Sequence, residues 1–425
     1  ETSLFGGKGE DSLQIRNTLT NSYIESNSGN DTIDVTARIE NSTLHGGQGD
    51  DRFSITGTVT NSTLMAGSGA DLLNLNNAVG NTSIKGFGST EDSGNDTVVF
   101  SAAANDINVD FAAGDDSLSL AKGATNATIS AAAGNDTVIA ALTLASSSIE
   151  SAAGDDSLSI SVLSLSTLTA GSGADSINLA TAVSSEVYAN QGDDFITASG
   201  NATTTTLAGG KGSDSIVVAG AVTGGQILGN SGADSITING KVSSALVHGG
   251  AANDSITLGT VVGGTVGGGL GADTLLVSSS LAGAEVLMSS KSDPNSSSDK
   301  ADLLTVVGSV SNSTIYAGAG DDNMSFDSHL IAGELFAGSG ADTVQVGGSL
   351  GGTTELSDGA DSLSAVDADG ASLLGGTEND TFVFTGNVKD ASLVGGFGVD
   401  SLVLGNASGD FVRGSTVYGG SPSDG

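Results

Sequence analysis

The chain has no cysteine and no tryptophan, only two prolines, and 12 basic residues against 49 acidic ones in 425 residues. Each shortage removes a class of explanation. Without cysteine there is no disulfide to stabilise the fold and no thiol nucleophile. A net charge of −37 repels phosphate, so nucleic acid is excluded as a natural partner and cations become the natural ligands. No apolar run is long enough to cross a bilayer, so membrane insertion is not expected. Helical periodicity is missing as well, because Gly, Ser, Thr and Asn interrupt every 3.6-residue pattern.

What is present is repetition. The chain holds 65 glycines, and Ile, Leu and Val recur throughout, enough to build a core despite the low complexity. The stretch GGQGDDRFS at Gly46–Ser54 has a near copy, GGKGEDSLQ, at Gly6–Gln14. Taking the last Asp of each such turn as an anchor gives Asp11, Asp31, Asp51, Asp71, Asp96, Asp116, Asp136, Asp156, Asp175, Asp194, Asp214, Asp234, Asp254, Asp273, Asp302, Asp322, Asp342, Asp361, Asp380 and Asp400. The intervals are 19 or 20 residues, with 25 before Asp96 and 29 before Asp302. Residues two and four after each anchor are apolar, as in Leu13 and Ile15 or Phe53 and Ile55, with polar residues between them. That is the period-2 signature of a strand with one buried face. A further apolar position about thirteen after the anchor (Ile24, Leu44, Leu64) predicts a second strand, hence two short strands per repeat.

Strands this short, evenly spaced and in phase predict an all-β fold: a single right-handed parallel β-roll, or β-solenoid, of about 20 coils with ~20 residues per coil, continuous over residues 1–425. The two long intervals predict loop insertions near 86–95 and 289–300 rather than domain boundaries.

The turns approximate G-G-x-G-x-D followed by x-U-x with U apolar. Clear copies stand at Gly6, Gly46, Ala170, Gly209 and Gly395, with another across Gly268 and Gly269. This resembles the nonapeptide of the RTX (repeats-in-toxin) family of calcium-binding parallel β-rolls, and the resemblance spans essentially the whole chain. It implies calcium ions between neighbouring coils, held by aspartates and main-chain carbonyls from both. Calcium takes about six to eight hard oxygen ligands, more than one turn supplies. The aspartates so implicated are the anchors Asp11 to Asp273 and Asp322 to Asp400. Asp302 is left out, because Lys300 stands where the second glycine belongs. The glycines are Gly7, Gly9, Gly47, Gly49, Gly67, Gly69, Gly171, Gly173, Gly210, Gly212, Gly269, Gly271, Gly318, Gly320, Gly338, Gly340, Gly396 and Gly398. Asp254 and Asp380 are weaker candidates, with Ala252 and Glu378 at the second glycine, and Ala112, Ala132 and Ala152 are costlier than glycine in a left-handed turn.

The chain departs from the family pattern in having one nonapeptide per coil rather than two. It therefore predicts one calcium-binding edge with up to about 19 ions, and an opposite edge closed by Val, Gly, Asn and Ser. Nineteen doubly charged ions against −37 would leave a net charge of +1.

No enzyme is read here. His45 and His248 share one outward strand position, and no Ser/His/Asp set stands in a distinctive motif. The N-x-S/T sequons at Asn41, Asn61, Asn81, Asn126 and Asn312 share one phase, which predicts a turn and hydroxyl ladder. An ice-binding threonine array is set aside because Tyr23, Glu186, Glu285 and Glu334 interrupt it. Apolar residues on the outward face of the first strand (Val99, Ile139, Val217, Leu276, Val383 and Val403, with Leu72, Phe195 and Leu303) point to self-association. Uncapped solenoid ends point the same way, or to a longer repeat array.

Together these predict a calcium-stabilised, extracellular structural protein forming a surface filament, fibril or S-layer. The family implies export by type I secretion. Within it the chain looks most like repetitive surface proteins of bacteria, the oscillin-type fibrils of gliding cyanobacteria among them. The alternative is an RTX module that aids secretion and folding of an attached enzyme, toxin or adhesin.

Overall fold

The computed structural model describes residues 2–85, 94–289, 300–405 and 412–419. The expected insertions lie almost wholly outside these residues. The chain divides into two compact units, Glu1–Lys211 and Gly212–Gly425, each holding ten of the anchors. The fold is all-β, without helix among the described residues, and is a parallel β-solenoid of about 20 turns.

In the first unit, Thr32–Val35, Arg52–Ile55 and Leu72–Leu75 pair in parallel and in register, so that Ile33, Phe53 and Leu73 stack in one column and Val35, Ile55 and Leu75 in another. Every one of these is buried. The second strand of each coil behaves likewise: Tyr23–Ser28, Thr43–Gln48 and Thr63–Ser68 bring Ile24, Leu44 and Leu64 into a third column. The second unit repeats the scheme with Ser215–Val218, Ser235–Ile238 and Ser255–Leu258. Alternating side chains cover a narrow core from several sides, and no coil can bury its apolar face without a neighbour.

Many coils, among them those after Asp31, Asp51 and Asp214, have three strands rather than two, while in others the segments merge into longer strands such as Thr137–Ala145. The additional one is often only two residues long, as in Ile39–Glu40 and Val59–Thr60, and its first residue is buried. Its signal is a lone apolar residue eight after the anchor (Leu19, Ile39, Val59, Val79), too short a pattern to read as an alternation.

A sharp corner follows. Asn41, Asn61, Asn81, Asn126 and Asn312, the sequon asparagines, all take left-handed φ between 45° and 52°. Asparagine tolerates that region better than other side chains do. The next residue turns a hydroxyl inward: Ser42 Oγ accepts the N–H of Ser22 and donates to the carbonyl of Glu40, and Ser62 Oγ repeats both bonds with Ser42 and Thr60. The opposite edge is thus closed by a buried hydroxyl ladder that satisfies the corner's backbone.

Coils of 19 residues lose their residue at this opposite edge. The buried residue of the short third segment stands seven after the anchor in Leu163, Ala182, Val261 and Ala368, where Leu144 stands eight after. Register shifts fall between Ala140 and Thr143 and between Leu330 and Gly333, both on that side. The spacing from anchor to first strand does not change.

Candidate metal-binding edge

The anchors form one hydrogen-bonded column in each unit. Asp11 N–H donates to Asp31 Oδ1 at 2.7 Å, Asp31 to Asp51 at 2.8 Å and Asp51 to Asp71 at 2.7 Å, and so on to Asp194. In the second unit the column runs from Asp214 to Asp400, with distances of 2.8 Å at its start and 3.1 Å at its last step. Anchor carbonyls within each unit accept the N–H one residue past the next anchor, as in Arg52 N–H to Asp31 O and Ser255 N–H to Asp234 O. Asp302, omitted from the sequence-derived set, sits in the same column: it accepts Asp273 N–H and donates to Asp322 Oδ1. The lysine two residues before it does not displace it, because the column is built from the anchor's own backbone and carboxylate.

That arrangement uses one carboxylate oxygen per coil. The second oxygen, Oδ2, is buried with no hydrogen-bond partner at Asp31, Asp51, Asp136, Asp234, Asp254, Asp342 and Asp361. Burial pushes the carboxyls of Asp51, Asp136, Asp175, Asp254 and Asp361 up to about 7 and that of Asp342 to about 8; the N–H of the preceding anchor works in the other direction. At Asp51 the charges of Asp31 and Asp50 add to the rise. Asp234 and Asp380 are raised to about 6, again chiefly by burial. A column of such carboxylates is costly at neutral pH unless a cation or a proton joins it.

The turn glycines bring main-chain carbonyls of neighbouring coils into close contact. All eighteen glycines named from the sequence lie at φ between 98° and 139°. A side chain at Gly47 would put its Cβ 1.9 Å from the carbonyl oxygen of Asn27, and one at Gly67 would meet that of Gly47 at 2.0 Å, so carbonyls of one coil press against the glycines of the next. Ala132, Ala152, Ala252 and Glu378 are held at left-handed φ of 72–84°, each at a cost of about 1–2 kcal/mol, so the turn is imposed even where glycine is absent. Ala112 is not among the left-handed residues.

The donor set fits calcium, a hard cation that takes carboxylate and carbonyl oxygens. Among the described residues no three His, Cys, Asp or Glu side chains form a group that could hold a metal, so carbonyls must complete any site. The anchor carboxylates and the turn carbonyls of adjacent coils would hold the ion, which would supply the positive charge the buried Oδ2 atoms lack. His45 lies 3.5 Å from Glu25, His248 is shifted down by burial, and His329 Nδ1 accepts the N–H of Ser349.

A second, outer ladder runs beside the column in the reverse direction. Asp50 N–H donates to Asn30 Oδ1 and Ala70 N–H to Asp50 Oδ1, and Asp115, Asn135 and Asp155 continue the pattern. Sequence reasoning passed over these residues one before each anchor. Their recurrent Asn and Asp were the available signal.

The RTX calcium-binding nonapeptide repeat (4 copies) family matches residues 25–54 and 305–328. No curated protein matches the chain significantly. Among solved structures, the chain is similar to a hyperactive, Ca2+-dependent, β-helical antifreeze protein from an Antarctic bacterium, at 17% identity over 75% of this chain and 83% of that one, with a TM-score of 0.29. It is also similar to a fragment of TibA hyper-glycosylated by TibC, at 14% identity over 97% and 100% of the two chains, with a TM-score of 0.16. The chain thus carries matches to the RTX calcium-binding nonapeptide repeat in both units and is built as a parallel β-solenoid.

Proposed function

We propose that the protein is a calcium-folded extracellular structural element that assembles into a surface filament, fibril or S-layer. The observation that carries this reading is the set of buried Oδ2 atoms at anchors such as Asp31, Asp51, Asp234 and Asp342, which call for a cation or a proton at neutral pH. Calcium binding is then folding free energy. In the low calcium of a cytosol the chain stays unfolded and exportable, as type I secretion requires; in millimolar external calcium it folds and stiffens. The row runs along the anchor edge alone, up to about 19 ions. Assembly is supported by outward apolar side chains on the first strand. Ile139, Phe195, Leu303 and Val403 are exposed, while Val99, Val217, Leu276, Val383 and Leu72 are half-buried between stacked neighbours. No catalytic role is assigned.

Far-UV circular dichroism during calcium titration at neutral pH, with EGTA reversal, tests the first part: β-signal should rise with calcium and vanish on chelation. A signal indifferent to both would overturn it. Electron microscopy of the calcium-loaded protein tests the second, since polymers are expected and monodisperse particles at all concentrations would leave a folding module as the better reading.

A further inference from the structure

In several gaps between coils two oxygens face one space: Oδ2 of one anchor and a main-chain carbonyl oxygen of the next coil, usually that of the residue five before the next anchor. The glycines at that position locate them. A Cβ on Gly46 would lie 2.3 Å from Asp51 Oδ2 and 2.2 Å from Ala66 O, and one on Gly229 would lie 2.3 Å from Asp234 Oδ2 and 2.4 Å from Gly249 O. Gly375 repeats the geometry with Asp380 Oδ2 and Gly395 O. Two acceptors facing one small space call for a cation or a hydrogen-bond donor.

At two coils the chain supplies a donor to the carbonyl of that pair, while Asp31 Oδ2 keeps no hydrogen-bond partner. Ser26, five before Asp31, and Ser151, five before Asp156, are fully buried. Ser26 Oγ donates to Gly46 O at 2.7 Å, and Ser151 Oγ donates to Ala170 O at 3.0 Å. By repeat position these are the carbonyls equivalent to Ala66 O and Gly249 O, in the gaps between Asp31 and Asp51 and between Asp156 and Asp175. Every other described residue at this position is Gly, Ala, Phe111 or Leu356, none of which carries a side-chain donor.

We propose that Ser26 and Ser151 are built-in plugs: their hydroxyls close these two gaps, which take up no calcium, and so divide the ion row of the first unit into shorter runs. The inference rests on the calcium reading above. It means that at two levels a hydroxyl fills the gap and takes up the carbonyl that would otherwise face a metal, and that these levels keep one cross-coil bond when calcium is scarce.

The test counts ions. Calcium bound per chain at saturation is measured by equilibrium dialysis for the wild type, for a Ser26→Ala, Ser151→Ala double variant, and for Ala131→Ser, which adds a hydroxyl at the equivalent position. Alanine is already accommodated there at Ala66 and Ala170. The double variant should gain about two ions and Ala131→Ser should lose about one. The double variant should also melt higher than wild type in saturating calcium and lower in EGTA at mildly acid pH, where only the hydroxyl bond counts. A wild type that binds calcium while the double variant binds the same number, with unchanged melting, overturns the plugs alone; a wild type that binds none overturns the calcium reading with them.

Discussion

The two edges of each coil solve one problem in different ways. At both, the backbone turns sharply inside a fold that leaves no room for unsatisfied polar groups. The opposite edge solves it with neutral groups: an asparagine at left-handed φ, a serine or threonine hydroxyl bonded on both sides, and freedom to drop a residue in the 19-residue coils. The anchor edge uses charge. Its column of aspartates leaves Oδ2 without a donor at several levels, and its spacing from anchor to strand does not vary. Neutral ladders tolerate a change of length because each bond is local. An edge that, on the calcium reading proposed above, presents oxygens from two coils to one ion cannot.

The largest break in this comparison comes from pH in the absence of calcium. The anchors' ordinary carboxyl value is 3.8, and in the fold several stand at about 7, so the metal-free fold binds protons more tightly than the unfolded chain does. Stability from this source is fully present below 3.8 and is lost as pH rises through about 7. In EGTA, circular dichroism should therefore show β-structure in mildly acid buffer and its loss above neutrality. With calcium the dependence reverses, because the ion competes with those protons. A metal-free chain that is equally folded at both pH values would show that the column's charge does not matter.

A smaller effect separates the two oxygens of one anchor. Asp51→Ala removes the acceptor for Asp31 N–H as well as the charge, and should cost on the order of 3–5 kcal/mol in calcium. Asp51→Asn keeps an acceptor and loses the charge, so it should cost less in calcium. In EGTA the order against wild type should reverse, because Asn needs no proton to be buried. Denaturant unfolding in both buffers reads this out, and a variant ranked the same in each would sink the distinction.

The smallest effect belongs to the other edge. Ser62→Ala strands the N–H of Ser42 and should cost about 1–3 kcal/mol, equal in calcium and in EGTA at acid pH. A calcium-dependent cost would mean that the two edges are coupled through the coil.

The period, the parallel strands, the three columns around Phe53, Ile55 and Leu64 and the anchors themselves are legible in the sequence, because a one-dimensional stack repeats each contact at a fixed offset. Positive φ at the turn glycines is legible for the same reason. The third strand is not, since a two-residue strand such as Val59–Thr60 has no alternation to detect. Nor is the place of Asp302, where a local lysine argued against a residue that the neighbouring coils hold in line.

By itself the sequence determined which residues recur in phase and hence which side chains can share a column. Only the tertiary structure decided how anchors such as Asp51 divide their two oxygens, one to the preceding coil's backbone and one left buried in the gap. It also decided that Ser26 and Ser151 turn their hydroxyls into such gaps. The reason is that a phase in sequence fixes a column but not a direction within it; direction comes from the backbone of the coil above and the coil below, which only stacking brings together.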